Sequence, residues 1–388
     1  MSDLFGPASP SAAPPEPRPA GEAEREALLA LTLAPGVGPG RLRALLARFG
    51  SAEAVLAAPR RALEGVGGVG PQTAAAIAGA GAAAGRRAAQ AQLARAARVG
   101  ARAVFLGEPD YPALLAHIYD PPPLLWVRGR LAAAEDAEAV AIVGTRRATP
   151  YGERVAAHFA SGLAARGVTI VSGLAYGIDI AAHRAALEAG GRTVAVLGCG
   201  VDRVYPARHA PLVRRLLEAD AGAVVSELPL GAAPDAPNFP RRNRLIAGLS
   251  RATLVAEAHE GGGALITAFM ALEQNRDVFA VPAPAFAEAQ GTNRLIREGA
   301  AALVTSPEDL LADLGGALAA QVPAAGSAPP DLNAAEARLH AALGPTPRTL
   351  DALCAETGLD ASSALVYLLS LEFKGLARQL AGKQFFRP

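Results

Sequence analysis

One segment of the chain places side chains suited to phosphates and bases next to each other. Residues 238–250 open with arginines, amides and a ring and continue as an apolar helical stretch. Its polar part consists of Asn238, Phe239, Arg241, Arg242, Asn243 and Arg244. Guanidinium groups bind phosphate oxygens, amides reach base or sugar edges, and an exposed ring stacks on a base. The segment predicts a phosphate-binding face, although an exposed arginine-rich loop with a buried Phe239 would give the same pattern.

Four glycine-containing turns each follow an apolar stretch typical of a strand. The residues in or beside them that we assign to binding are Gly144, Thr145, Arg146, Arg147, Ser172, Gly173, Gly177, Arg208, Gly262, Gly263 and Thr267. In an open α/β sheet, ligands collect at the carboxyl ends of strands, where turns expose amides and helix N-termini favour anions. Four such turns at one edge predict a groove, while each turn alone is explained as an ordinary strand-to-helix connection.

The turns lack the patterns of a catalytic or cofactor site. Gly144 is not followed by the spaced glycines of a dinucleotide fingerprint, and residues 102–314 contain no lysine for a phosphate-binding P-loop. No Ser/His/Asp set, carboxylate pair or metal-ligand spacing stands out; Asp179 is interpreted as a helix cap and His183 as a structural histidine. Cys199 and Cys354 support neither a disulfide framework nor a zinc site. We predict a binding protein rather than an enzyme, with no cofactor and no metal.

The elements that would position the turns follow from the apolar pattern of residues 102–314. β-branched runs alternate with alanine-rich helical stretches, at residues 140–143, 168–171, 193–197, 223–225, 253–255 and 278–281. Continuously apolar strands between helices are typical of a parallel sheet covered on both faces. We predict an α/β domain with a Rossmann-like, doubly wound, mostly parallel sheet.

Composition changes along the chain predict five segments. They are a disordered tail, a helical domain of the helix-hairpin-helix or SAM-like type, the Rossmann-like domain, a linker and a winged-helix domain, at residues 1–21, 22–98, 102–314, 315–330 and 331–388. Glycine turns at residues 35–40 and 65–71 predict the hairpins, which suit either an approach to a DNA backbone or packing on a neighbour. Three helices and a two-stranded hairpin around Ala381 and Gly382 predict the winged helix.

The overall charge and hydropathy exclude some classes of protein. The formal net charge is +1, so a polyanion site must come from a local concentration of arginine. No apolar run reaches the roughly 18 residues that a membrane span needs, and the first twenty residues lack the order of a signal peptide. We expect no membrane partner and a cytoplasmic location.

Six longer motifs occur in order within residues 102–314. They are Gly144-Thr145-Arg146; Ser172-Gly173-Leu174-Ala175 with Gly177-Ile178-Asp179 and Ala182-His183; Phe239-Pro240 with Arg242-Asn243-Arg244; Ile246-Ala247-Gly248-Leu249-Ser250; Leu265-Ile266-Thr267-Ala268 with Ala271-Leu272-Glu273-Gln274; and Asp277-Val278-Phe279-Ala280-Val281-Pro282. Together these motifs resemble those of the DNA-processing protein A (DprA/Smf) family. The helical N-terminus and the C-terminal winged helix fit the three-part architecture of its longer members.

The resemblance implies a homodimeric, non-catalytic protein that binds and protects single-stranded DNA and loads the RecA recombinase during natural transformation, the competence process. It implies that the strand is held at Gly144, Thr145 and Arg146, with the arginines of residues 241–244 beside them. The chain departs from the family pattern at three places, with Gly262-Gly263-Ala264 for a serine-containing turn, Ala283 after Pro282 for glycine, and Ala207, beside Arg208, near a usual lysine.

Two other functions fit parts of the sequence. The domain resembles, more weakly, Rossmann-like phosphoribohydrolases that cleave nucleoside monophosphates, with Gly261-Gly262-Gly263 and Glu273 offered for their glycine turn and glutamate; release of free base would support this enzyme. The winged helix would instead suit a transcriptional regulator that prefers specific duplex sequences. The helix from residue 360 occupies the DNA-reading position, yet it supplies no positive charge there.

Overall fold

The computed structural model describes residues 21–315, 332–344, 347–374, 376–380 and 384–387. These residues belong to two compact units that divide between Gln321 and Val322. Apart from Gly21 and Gly315, the predicted tail and the predicted linker lie outside the described residues. The predicted turn at Ala381 and Gly382 lies outside them as well.

From residue 21 onward, where the structure is described, the first unit starts with six helices. Their bounds are α1 Glu22–Leu33, α2 Pro39–Phe49, α3 Ala52–Ala57, α4 Arg60–Glu64, α5 Pro71–Gly81 and α6 Ala83–Arg98. The two predicted glycine turns precede α2 and α5, each of which starts with proline, a residue preorganised for the first helical position. Gly36 and Gly68 adopt φ values of 83° and 82°, which glycine accepts without steric cost. The apolar side chains of these helices pack into one shared core.

A nine-stranded sheet follows in the same unit. Its strands are β1 Ala101–Phe105, β2 Leu124–Gly129, β3 Val140–Gly144, β4 Ile170–Ser172, β5 Thr193–Val196, β6 Gly222–Ser226, β7 Ala252–Glu257, β8 Asp277–Ala280 and β9 Ala302–Leu303. Their order is β1-β2-β6-β5-β4-β3-β7-β8-β9. The seven neighbouring strands β6, β5, β4, β3, β7, β8 and β9 run parallel to one another. β2 is antiparallel to both of its neighbours, β1 and β6. The predicted mostly parallel Rossmann-like sheet is confirmed, with β1, β2 and β9 lying outside the predicted strands.

Helices cover both faces of this sheet. They are α7 Ala113–Ala116, α8 Pro150–Ala164, α9 Ile178–Glu188, α10 Ala210–Glu218, α11 Asn238–Gly248, α12 Gly263–Glu273, α13 Gly291–Arg297 and α14 Pro307–Leu314, with short 3-10 helices at Asp136–Glu138 and Ala207–His209. Alternate residues of β3 enter different cores, because side chains of a strand point to opposite faces. Val140 and Ile142 pack with Phe159 of α8, whereas Ala141 and Val143 belong to the core of α11 and α12.

The strand order creates a switch point between β3 and β7. From β3 the chain moves outward through β4, β5 and β6, and it then returns to pair β7 on the other side of β3. Connections that leave β3 and β7 therefore diverge, and a crevice opens outside the carboxyl ends of these two strands. The register of the β3–β7 pair shifts at Gly144, where the first predicted binding turn begins.

In the described part of the second unit there are three helices and a small antiparallel sheet. The helices are Ala334–Ala342, Leu350–Thr357 and Ala361–Phe373, and the strands are Arg348–Thr349, Arg378–Leu380 and Gln384–Phe386. Leucines of all three helices pack with Phe385 in its core. The predicted hairpin is thus part of a three-stranded sheet in a winged-helix arrangement. Among the described residues, no single helix meets the length and apolarity of a membrane span, although the last two helices, bent by 104°, meet them as a pair.

Candidate nucleic-acid interface

A cavity of about 860 Å³ opens at the switch point between β3 and β7. All four predicted turns and the N-terminal half of α11 contribute to its wall. The predicted binding residues that line it are Gly144, Thr145, Arg146, Arg147, Phe239, Arg242, Asn243, Gly262, Gly263 and Thr267. The sheet topology therefore brings together residues that are spread over more than a hundred positions in the sequence. We call this space the switch-point cavity.

Two rings and a guanidinium group form the most distinctive part of the switch-point cavity. The guanidinium carbon of Arg146 lies 5.3 Å from the ring centroid of Phe239, within the range of a cation–π contact. The ring of Tyr205 lies 5.7 Å from that of Phe239, and 46% of Tyr205 is exposed. Gly198 packs close to Phe239, since an added Cβ there would lie 3.0 Å from the ring. Tyr205 is the residue by which the third predicted turn lines the cavity, although the sequence reasoning did not assign it to binding.

The turn after β3 owes its shape to close backbone contacts. The amide of Thr145 donates to the Glu257 carbonyl at 2.8 Å, and the amide of Ile178 donates to the Thr145 carbonyl at 3.3 Å. Gly177 adopts φ 72°, and a Cβ there would lie 2.3 Å from the Thr145 oxygen. Gly177 thus supports the turn from behind and does not line the cavity.

A buried glutamate fixes the start of α8 beside this turn. Both carboxylate oxygens of Glu257 accept hydrogen bonds from Thr149, one from the backbone amide at 2.9 Å and one from the hydroxyl at 2.6 Å. The Thr149 hydroxyl in turn caps α8 by accepting from the amide of Gly152 at 3.1 Å. Glu257 therefore braces the exposed Arg146 and Arg147 segment without entering the cavity.

Arg242 is buried and organises the turn after β4. Its guanidinium donates to the carbonyls of Gly173, at 2.7 Å, and of Val196, and only 5% of the residue is exposed. Burial lowers the pKa of Arg242 to about 10, while the charge of Asp179 opposes that shift. A Cβ at Gly173 would lie 2.4 Å from the guanidinium, so this close approach requires glycine. Arg242 reaches the cavity wall but its donors are directed at the protein.

Asp179 has a different role from the one predicted. It is the second residue of α9, and its carboxylate accepts from the amides of Gly173 at 3.2 Å and Ala175 at 3.3 Å rather than capping the helix. Burial raises the pKa of this carboxyl, against the opposing charge of Arg242. Asp179 and Arg242 together hold the second turn from both sides.

His183 is a structural histidine in the described structure. Its Nδ1 lies 2.6 Å from the Thr193 hydroxyl, and it is fully buried. Burial lowers the pKa of His183 to about 3, so the ring is neutral at pH 7. It supplies no charge to the site.

The remaining predicted residues lie outside the switch-point cavity. Ser172 is buried and its hydroxyl donates to the Ile142 carbonyl at 2.6 Å. Arg244 forms salt bridges to Asp120, at 3.2 Å, and to Glu227, so it joins α11 to two neighbouring segments. Burial raises the pKa of Glu227, although Arg244 counteracts that shift.

Arg208 occupies an exposed place beside the cavity. Its guanidinium carbon lies 5.9 Å from the ring centroid of Tyr176, a ring that is 42% exposed. The Tyr176 ring also packs edge-on against His209, whose Nδ1 lies 2.9 Å from the Leu174 carbonyl. Asn238 and Arg241 line a second, smaller cavity instead.

The switch-point cavity combines an anion site with a stacking surface. Arg146 and Arg147 are exposed and form no salt bridge within the described residues. The N-terminus of α12 enters at Gly262 and Gly263 with no acidic residue in its first turn, and a helix N-terminus favours anions. Phosphate oxygens would meet these groups, and a base would meet the rings of Phe239 and Tyr205.

The residues offered for the phosphoribohydrolase function are not brought together. Gly263 is the first and Glu273 the last residue of α12, so they lie about 15 Å apart along the helix axis. Glu273 does not line the switch-point cavity. Among the described residues, Asp179 is the one carboxylate that does.

Comparison with known proteins agrees with the two-part organisation. Residues 102–315 match the family described as DNA recombination-mediator protein A, and residues 323–383 match the family described as the DprA winged helix domain. Protein Smf of Synechocystis sp. is 40% identical over 315 residues, which cover 72% of this chain and 78% of that protein. Protein Smf of Escherichia coli is 50% identical over 205 residues, 53% of this chain and 54% of that protein.

A solved structure shows the same arrangement. The X-ray structure of DNA processing protein A (DprA) from Streptococcus pneumoniae superposes with a TM-score of 0.57 at 33% sequence identity. The match covers 74% of this chain and 96% of the pneumococcal chain.

Proposed function

The chain belongs to the DNA recombination-mediator protein A (DprA/Smf) family, and we propose that it binds single-stranded DNA in the switch-point cavity without catalysing a reaction. The observation that carries the proposal is the cluster of Arg146, Phe239 and Tyr205 above a glycine-built anion surface. Arginine neutralises a phosphate while a ring accepts a base of any identity.

The stacking surface favours single strands over duplexes. A base can lie on Phe239 only when its faces are not already covered by neighbouring base pairs, and unstacking a duplex costs a few kcal/mol for each base removed. Arg146 contacts the same ring, so a phosphate at Arg146 and a base at Phe239 would belong to adjacent parts of one nucleotide chain. The site is therefore expected to prefer single strands to duplexes without a preference for base sequence.

The recombination role follows from the binding mode and the family. A protein that covers single strands in the cytoplasm can protect incoming DNA during natural transformation and pass it to RecA. We include RecA loading in the proposal. RecA should then assemble faster on a single strand covered by this protein, whereas the Arg146→Ala variant should give no such acceleration.

The proposal also includes a homodimer. Ile266, Phe269 and Leu272 are 42%, 42% and 40% exposed and recur every three residues along α12, so they form an apolar stripe beside the cavity. Ile266 also lines the cavity, so a second copy on this stripe would bring two DNA sites together. Phe269→Glu should lower the mass measured by light scattering; an unchanged dimer mass would assign the interface elsewhere.

Fluorescence anisotropy of a labelled single strand and its duplex tests the central proposal. We expect a preference for the single strand, and a salt slope that Arg146→Ala makes shallower by about 0.7, the contribution of one phosphate. Arg215→Ala is the matched control, since Arg215 is exposed in the last turn of α10, toward the opposite edge of the sheet. Equal binding of both DNA forms, unaffected by Arg146→Ala, would refute the assignment.

A further inference from the structure

A second cavity, of about 530 Å³, lies on another face of α11 from the switch-point cavity. Phe239, Asn243 and Ile246 of α11 line the first cavity, whereas Asn238, Arg241 and Arg244 line the second, and Arg242 reaches both. The opposite wall of the second cavity comes from the helical domain, through Val37, Gly38 and Pro39 of its first glycine hairpin. We call this space the hairpin cavity.

The hairpin cavity has apolar walls and one unpaired cation. Leu124, Leu197 and Leu228 are among its lining residues, while the carboxylates of Asp120 and Glu227 are already engaged by Arg244. Arg241 is exposed and forms neither a hydrogen bond nor a salt bridge within the described residues. An apolar chamber with a few polar groups at its rim suits a planar base that carries an anionic group.

The hairpin adds one backbone donor to this rim, the amide of Gly38, because Val37 donates to the Ala34 carbonyl at 3.1 Å and Pro39 has no N–H. Gly38 precedes α2 with an extended backbone, φ −93° and ψ 174°, and no side chain caps the helix. The first turn of α2 contains no acidic residue. The positive end of the α2 dipole favours an anion, and the Gly38 amide lies in the same cavity as the Arg241 guanidinium.

We propose that the hairpin cavity receives nucleotides of the same strand that occupies the switch-point cavity. The strand crosses the first turn of α11, with a phosphate between Arg241 and the amide of Gly38 and a base against the apolar wall. The helical domain is then part of the DNA-binding surface. This inference rests on the proposed function, because it extends that binding site by continuity through Arg242 and α11.

The second hairpin of the helical domain provides a matched comparison. Gly70 precedes α5 as Gly38 precedes α2, with nearly the same backbone, φ −88° and ψ 176°. A Cβ at either glycine would meet no atom within 4 Å. Gly70 lines neither of the two cavities. Aspartate is a preferred residue at this helix position, so Gly38→Asp and Gly70→Asp should both keep the fold while adding the same charge.

The test measures binding of oligodeoxythymidylates of about 3 and about 12 nucleotides, lengths that span one binding module. Gly38→Asp should weaken binding of the longer strand roughly fivefold, the repulsion of one charge near one phosphate. Gly70→Asp and the neutral Gly38→Ser should bind it as the wild type does. Arg241→Ala should make the salt slope for the longer strand shallower by about 0.7.

The outcomes separate this inference from the proposed function. Equal binding by Gly38→Asp and Gly70→Asp, with Arg146→Ala still defective, would overturn the hairpin cavity alone. Equal weakening of both lengths by Gly38→Asp would also overturn it, because the short strand needs only the switch-point cavity. Failure of the wild type to bind single strands, or normal binding by Arg146→Ala, would overturn both.

Discussion

Replacement of Phe239 by alanine removes the ring on which we place a base. The ring is only partly buried, with the guanidinium of Arg146 and the ring of Tyr205 as its neighbours. The backbone that shapes the cavity is held by other groups, chiefly Glu257 and Arg242, so the fold should survive the change. The variant therefore tests binding energy and not the integrity of the site.

The expected loss can be worked from two contacts. Stacking of one base on an aromatic side chain contributes about 1–3 kcal/mol, which corresponds to roughly fivefold to 150-fold in affinity. The cation–π contact with Arg146 adds about 0.5–1 kcal/mol through the position of the guanidinium group. We expect Phe239→Ala to weaken single-strand binding by on the order of tenfold or more. The salt slope should stay unchanged, because no phosphate contact is deleted.

Anisotropy titrations at several salt concentrations measure both quantities. Phe239→Tyr keeps the ring and should bind as the wild type, whereas Phe239→Leu keeps most of the apolar volume without the ring. If Phe239→Leu binds as tightly as the wild type, apolar packing and not stacking explains the role of Phe239. A shallower salt slope in Phe239→Ala would show instead that the ring acts through Arg146.

Two further predictions concern stability. Arg242→Ala should lower the free energy of unfolding by roughly 2–6 kcal/mol in urea, because it leaves the buried carbonyls of Gly173 and Val196 without their donor at about 1–3 kcal/mol each. Exposed Arg241→Ala should stay within about 0.5 kcal/mol, and equal effects of the two changes would contradict the assigned burial. In the second unit, Lys374 and neighbouring donors lower the pKa of Glu336 from 4.5 to about 2. The contribution of Glu336 to folding stability is therefore complete above pH 4.5 and is lost as the pH falls toward 2. Glu336→Gln should flatten this acid dependence in circular dichroism; an unchanged acid transition would refute it.

The predicted strands were those with continuously apolar sequence. Apart from Gly144 and Asp277 at strand ends, the residues of β3 to β8 are buried on both faces of the sheet. Such strands are apolar throughout, so their sequences are easily recognised. β1 follows the long helix α6 almost directly, and β2 joins the sheet by antiparallel pairing to β6, a partner almost a hundred residues later. β9 has two residues. Pairing of this kind depends on tertiary contacts that local pattern does not contain.

The arginines of residues 241–244 were predicted as one group, yet the helix separates them. Arg242, Leu245, Ile246 and Leu249 are spaced as i, i+3, i+4 and i+7, which places Arg242 on the buried stripe of α11. That spacing was a usable signal, and it distinguishes Arg242 from Arg241. The partners of Arg244 could not be read from the sequence, because Asp120 lies more than a hundred residues away.

The placement of arginines in the fold explains how a chain of net charge +1 can attract a polyanion at one place. Several arginines of the first unit are paired with carboxylates, as in the salt bridges of Arg95 with Asp202 at 2.5 Å and Arg251 with Glu138 at 2.6 Å. Other arginines, such as Arg86 and Arg215, are exposed and form no salt bridge within the described residues, so the lack of a partner does not by itself mark a DNA site. Four exposed arginines without a salt bridge in this part of the chain are distinguished by lying at or beside the two cavities; these are Arg146, Arg147, Arg208 and Arg241. A single strand would meet their charge together with exposed rings, and this combination depends on the tertiary fold and not on composition.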